Sequence, residues 1–181
     1  YRFACDNARE DTAAFRLGRA VHLAVLQPEL FGAGYTTWQG TRRGKEWDGF
    51  KTSADERGVE VLVADEVGLC MALQAAVRSD PVAGPLLRRG EAEVPGQWTD
   101  AASGVGCKAL IDWLTPDCII DLKTTKDASP SGFGRECVKY CYPFQMAFYR
   151  RGLIACGKPA LPVKLIVVEK TRPWPVVVYD V

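Results

Sequence analysis

The stretch CKALIDWLTPDCIIDLKTT, from Cys107 to Thr125, constrains the fold more than any other part of the chain. Thr115-Pro116-Asp117-Cys118 is turn chemistry set between two runs of apolar and β-branched residues, which predicts a β-hairpin. With Leu114 paired to Ile119, Asp112 falls opposite Asp121, with Cβ atoms about 4.5–5.5 Å apart on one face. Lys123 lies two residues beyond Asp121 and returns to that face, while Ile111, Trp113, Ile120 and Leu122 point to the other. Two carboxylates opposed in a ladder destabilise it unless something offsets their repulsion. A hard divalent cation with oxygen ligands does so. So does Lys123 simply neutralising Asp121 in an ordinary charged hairpin, and the spacing alone does not choose between the two.

At 181 residues and 48% hydrophobic composition, the chain has the size of one compact domain with a substantial core, here taken as residues 1–181. Lys and Arg number 23 against 22 acids, so a net charge near +1 offers no global field for nucleic acid. Any DNA surface must be local. Short basic clusters occur at Arg42-Arg43-Lys45, Arg88-Arg89, Lys123 to Lys126 and Arg150-Arg151, although such runs are more often solvated faces. No apolar run approaches the ~18–20 residues that span a bilayer, and no basic-then-apolar leader precedes a cleavage site. A soluble intracellular protein is expected. Seven cysteines, scattered without CxxC pairs, argue against a disulfide framework or a zinc ribbon.

Asp11 or Thr12 can cap a helix that runs to about Gln27, where Pro28 ends it. Its expected stripe is Phe15, Gly18, His22, Val25 and Leu26, which places the one histidine of the chain inward. A lone histidine on such a stripe is more often a satisfied core residue than a ligand. Residues 32–58 have weak periodicity and read as a long surface loop carrying Arg42, Arg43, Lys45 and Trp47. Trp47 either stacks on unpaired bases or anchors that loop to the core. A strand follows at Val59 to Val63. Asp65 then caps a helix to about Arg78, with Leu69, Leu73, Ala76 and Val77 inward, and Ser79-Asp80-Pro81 stops it. Glu91 to Trp98 supplies a strand beside the hairpin. Ser129 and Pro130 start a helix to about Tyr140, Pro143 restarts one that puts Gln145 and Tyr149 on one face, and Lys164 to Glu169 and Val176 to Val181 finish as strands. The sum is an α/β domain with a mixed central sheet flanked by helices.

The hairpin, with Ile111-Asp112 followed by Asp121-Leu122-Lys123, resembles the signature of the PD-(D/E)XK nucleases. RLGRAVH at 16–22, AEV at 92–94, DLKTTKDAS and YPFQMAFY at 142–149 follow in the order seen in RecE-type, exonuclease VIII-like phage and prophage exonucleases. Gln145 and Tyr149 match the QxxxY element of the wider RecB-like group. The resemblance implies a restriction-endonuclease-like core and two Mg²⁺ ions, with Mn²⁺ as a substitute. It implies Asp112 as a shared metal ligand, Asp121, Glu93 and the Leu122 carbonyl as further ligands, and His22 beside the metal, reversing the bland expectation for that histidine. Glu91 is the fallback for Glu93. Lys123 would orient the attacking water and stabilise charge, while Gln145 and Tyr149 would position the DNA strand with help from Arg42, Arg43, Lys45 and Lys126.

The implied activity is exodeoxyribonuclease cleavage of double-stranded DNA ends, resecting 5′ to 3′ in phage-type recombination within the cytoplasm of a bacterial host. The implied partners are a ring-shaped homo-oligomer, trimer or tetramer, and a single-strand annealing protein. A RecB-like module with single-strand or endonuclease activity is the rival enzyme, and a DNA-binding module that no longer cuts is the rival of another class. Some RecB-like relatives hold an iron–sulfur cluster, but here Cys137 and Cys141 precede the QxxxY element and only Cys156 follows it, so none is expected. Relatives often read C-K-G-R-P-D where this chain has Cys107-Lys108-Ala109-Leu110-Ile111-Asp112. The metal ligand is kept, and a DNA contact or ion pair made by the arginine is lost unless Lys108 replaces it.

Overall fold

The computed structural model of the chain describes residues 12–181, so Cys5 and Asp11 lie outside it. The Thr12 hydroxyl accepts the Phe15 N–H at 3.3 Å and opens helix α1 (Ala13–Leu26). Its buried face is Ala20, Val21, Ala24 and Val25, with Leu17 packed alongside. Phe15 is 48% exposed, which corrects the expected stripe: the core lies along Leu17 and Val21, and His22 stands at its border.

The region expected as a long loop is structured. After a short helix α2 (Phe31–Gly34) come strand β1 (Tyr35–Trp38), helix α3 (Gly44–Glu56) and strand β2 (Glu60–Val63). Trp47, Phe50 and Ala54 recur on α3 at helical spacing. Trp38 of β1 meets Trp47 edge-on at 5.8 Å and Phe50 at 4.9 Å. The helix is held by this aromatic contact, whereas Gly44 and Gly49 lower its intrinsic propensity and masked it in the sequence. β1 and β2 pair in parallel as a small separate sheet.

Helix α4 (Ala64–Ser79) starts where the Glu66 carboxylate accepts the Val63 N–H at 2.9 Å, so Glu66 rather than Asp65 closes its first turn. It packs along α1 through Cys70, Leu73 and Val77. Arg78 ties the two helices together by donating to the Val25 and Leu26 carbonyls at the end of α1 and to that of Leu87. A short helix α5 (Ala83–Leu86) leads into the main sheet.

Five strands follow in the spatial order of their sequence: β3 (Glu91–Thr99), β4 (Gly106–Leu114), β5 (Ile119–Thr125), β6 (Val163–Glu169) and β7 (Val176–Asp180). Every neighbouring pair is antiparallel except β5–β6, which is parallel. That pair needs a crossover, supplied by helices α6 (Pro130–Tyr140) and α7 (Tyr142–Ala155). Ile120, Leu122, Ile166 and Val168 face α1 and α4 on one side of the sheet. Ile119, Val163, Leu165 and Val167 face Phe133, Met146, Tyr149 and Leu153 of α6 and α7 on the other. The mixed sheet flanked by helices is the architecture expected from the sequence. Among the described residues, no helix is long and apolar enough to cross a membrane.

One expectation about the hairpin fails. Ile111 packs with Ile119, Met146 and Tyr149, whereas Trp113 lies in the opposite layer with Ile120 and Leu122. An unbroken pleat would put both on one face. The alternation breaks at Asp112 because the β3–β4 ladder skips it, pairing Ala92 with Trp113 and Val94 with Ile111 across an unpaired Glu93. Glu93 has φ 53°, the left-handed region that a β strand excludes.

Candidate active site

The β4–β5 register is the predicted one, with Leu114 against Ile119, but the ladder ends after Trp113 and Ile120. From that point the strands diverge, and Asp112 does not face Asp121 across a hydrogen-bonded rung. Instead Asp112 Oδ2 accepts the main-chain N–H of Leu122 at 2.9 Å. The N–H and C=O of one strand residue point to the same edge, so the Leu122 carbonyl is turned toward the same opening. Glu93, re-aimed by its left-handed backbone, enters from β3. His22 enters from α1, its Nδ1 3.4 Å from Asp112 Oδ2. His22, Glu93 and Asp112 each offer one ligand atom, and these atoms lie within 4.8 Å of one another.

Asp121 lies deeper. Its carboxylate is fully buried; the Lys123 ammonium is paired with Oδ2, and Oδ1 has no hydrogen-bond partner among the described residues. A buried carboxylate so poorly satisfied is costly unless a cation completes its surroundings. Burial pushes the Asp121 carboxyl up to about 6, and the negative charge of Asp112 adds to the rise against the pull of Lys123. Burial likewise raises Asp112 to about 6, with Lys123 and the Leu122 N–H opposing it. Glu93 is raised by burial. His22 keeps 27% of its side-chain surface, yet desolvation outweighs the charge of Asp121 and lowers its pKa to about 4. The imidazole is therefore neutral at neutral pH, and its approach to Asp112 is a polar contact rather than a salt bridge. The main-chain carbonyl of Leu122 near the ring opposes part of that lowering. A neutral imidazole offers a ring nitrogen to a metal.

Two carboxylates, Glu93 and Asp112, and the His22 imidazole form the cluster, a donor set that Mg²⁺ or Mn²⁺ accepts, with Asp121 deeper beside it and outside the group. The unpartnered Oδ1 of Asp121 and the left-handed Glu93 fit such an ion, because each costs stability that coordination would offset. Glu91 is exposed and takes no part.

The other expected residues divide. Tyr149 is buried in α7 beside the acids, its phenol raised first by desolvation and then by the charges of Asp121, Asp112 and Glu93. Gln145 Nε2 donates to the Tyr149 hydroxyl at 2.7 Å. The pair thus borders the acidic cluster. Arg42 is engaged elsewhere, paired with Glu66 and donating to the Val61 carbonyl, with Trp47 under its guanidinium at 6.0 Å. Arg43, Lys45 and Lys126 are accessible. Two features escaped the sequence. The conformation of Glu93 has no glycine to announce it, and nothing in the YPFQMAFY string singles out Tyr142, whose ring lies 4.7 Å below the Lys123 Nζ.

Comparison with known proteins bears on the fold and the family. The crystal structure of a "putative exonuclease" from Eubacterium rectale superposes with a TM-score of 0.63 at 16% identity, covering 96% of this chain and 60% of that one. This chain therefore spans well under two thirds of that longer protein, and the likeness is one of fold. No curated protein matches the sequence. The model of a family described as "PDDEXK-like domain of unknown function (DUF3799)" matches residues 3–181, almost the whole chain. The chain belongs to this PDDEXK-like family.

Proposed function

We propose that this chain is a Mg²⁺-dependent deoxyribonuclease, with Mn²⁺ as a substitute, that degrades linear double-stranded DNA from its ends. The observation that carries the reading is the convergence of His22, Glu93 and Asp112 within 4.8 Å beside the buried Asp121–Lys123 pair, on a PDDEXK-like fold. Asp112, Glu93, Asp121, His22 and the Leu122 carbonyl are the residues that would hold two divalent ions. When bound, such ions supply Lewis acidity toward the phosphate oxygens and toward water. Lys123 orients the attacking water and stabilises charge that develops on the phosphate. Gln145 and Tyr149, hydrogen-bonded to each other at the border of the cluster, position the strand being cut.

The finer parts of the reading follow from the RecE-type resemblance. They are 5′ to 3′ resection, a ring-shaped trimer or tetramer, a single-strand annealing partner, and work in the cytoplasm as a single nuclease domain. A ring that threads duplex DNA must load at an end. Linear duplexes labelled separately at each 5′ and 3′ terminus should therefore lose label progressively in Mg²⁺, while covalently closed circles of the same sequence survive. Fragmentation of closed circles, or a monomeric mass in solution, favours the RecB-like endonuclease instead.

A further inference from the structure

We infer that Tyr142 is a positioning residue that holds the Lys123 ammonium in its working place. The inference rests on the nuclease reading for its catalytic consequence but not for its geometry. Lysine carries a compact charge on a flexible four-carbon stem with three donors and no acceptor, so one point contact leaves it free to swing. Lys123 has two contacts of different kinds. One is the carboxylate of Asp121, fixed in β5, and the other is the face of the Tyr142 ring, 4.7 Å from Nζ.

The ring is itself clamped. Phe133 stacks on it at 5.9 Å with 29° between planes, Tyr140 at 5.6 Å with 28°, and Phe133 leans in turn on Tyr179 at 5.3 Å. The chain path explains why Tyr142 faces inward. Cys141 takes the left-handed conformation, φ 57°, which ends α6 and lets Tyr142 begin α7 in a new direction, with Pro143 following in the first turn. A continuous helix would carry residue 142 along the line of α6. With the ammonium held by both partners, its remaining donor capacity is available to water or phosphate.

The alternative is that Tyr142 merely fills space between α6 and the sheet. Leucine keeps apolar bulk and lacks a π face, whereas phenylalanine keeps the face and lacks the hydroxyl, so Tyr142→Leu and Tyr142→Phe separate the two. In the parent, the ε-methylene protons of Lys123, assigned by their loss in Lys123→Arg, should resonate upfield of lysines that face no ring. Tyr142→Phe should keep that shift and turn over DNA within about threefold of the parent. Tyr142→Leu should lose the shift and drop kcat by on the order of tenfold or more per folded molecule, with KM and the Mg²⁺ requirement little changed. Melting curves of both variants normalise for folding. An unmoved Lys123 resonance in Tyr142→Leu, or parental kcat in that variant, overturns the inference. If the parent itself cuts no DNA in Mg²⁺ or Mn²⁺, the nuclease reading fails, and the Lys123 resonance alone decides whether Tyr142 holds the lysine.

Discussion

Asp112 Oδ2 accepts the main-chain N–H of Leu122 at 2.9 Å, with Asp112 one residue and Leu122 two residues beyond Trp113–Ile120, the last rung between their strands. A side chain thus takes the place of a ladder bond where β4 and β5 separate, and the opening admits Glu93 and His22. The carboxylate is orientated before any ion arrives. The His22 contact falls on the same oxygen.

Lys123→Ala and Asp121→Ala should each lower cleavage by more than about 10², the scale of losing a preorganised charge-stabilising group, with far-ultraviolet circular dichroism unchanged. Asp121 and Lys123 lie within β5 and alternate with Ile120 and Leu122, which pack into the core on the opposite face of the sheet. Turnover within threefold of the parent in either variant would remove that residue from the site.

His22→Gln should weaken Mg²⁺ binding and activity by roughly 10–100-fold, the usual effect of disturbing groups around a metal, while the melting temperature of the metal-free protein changes little. If His22 were only a core residue, the same substitution would cost about 1–3 kcal/mol of stability and leave turnover per folded molecule intact. Melting temperature and specific activity, measured on one variant, decide between them.

Metal affinity should fall as pH drops through about 6. Burial raises the carboxyls of Asp112 and Asp121 to about 6, so below that pH protons compete for the same oxygens and above it both are free to coordinate. His22, held neutral down to about 4, does not limit binding in this range. Calorimetric titration with Mn²⁺ at pH 7.5 and pH 5.5 should give weaker binding at the lower pH, with proton release visible in buffers of different ionisation enthalpy. Equal affinity at both values contradicts the assignment of these two carboxylates as ligands.

Arg42 and its neighbours should behave differently. Arg42→Ala should lower stability by about 1 kcal/mol, the scale of a part-buried ion pair, with little effect on DNA affinity, because the guanidinium is spent on Glu66 and the Val61 carbonyl. Replacing Arg43 and Lys45 together should weaken binding at every sequence and reduce the salt slope by about one to two. Binding to a labelled duplex over a salt series reads both, and an unchanged slope in the double variant assigns these residues to solvent alone.

The register of the hairpin was legible because turn chemistry and the pattern of buried residues agree on it. The break at Asp112 was not, since it depends on a left-handed glutamate that sequence rules exclude from a strand. The same break puts Ile111 on the face opposite to the one its alternation predicts. The helix Gly44–Glu56 was hidden because its support comes from Trp38, which lies on a strand six residues earlier. His22 illustrates the opposite case. Its helical stripe predicted a core residue, and the resemblance carried in RLGRAVH was needed to look for it beside Asp112, where its Nδ1 lies 3.4 Å from the carboxylate.

The most direct test is the rate at which the protein degrades an end-labelled linear duplex in Mg²⁺, in EDTA, and with Asp112→Ala replacing the parent. The parent should shorten the duplex from its ends in Mg²⁺ and stop in EDTA, and Asp112→Ala should be slower by at least ~10² in Mg²⁺. No cleavage by the parent in Mg²⁺ or Mn²⁺, or cleavage by Asp112→Ala at the parental rate, would contradict a metal-dependent nuclease centred on this cluster.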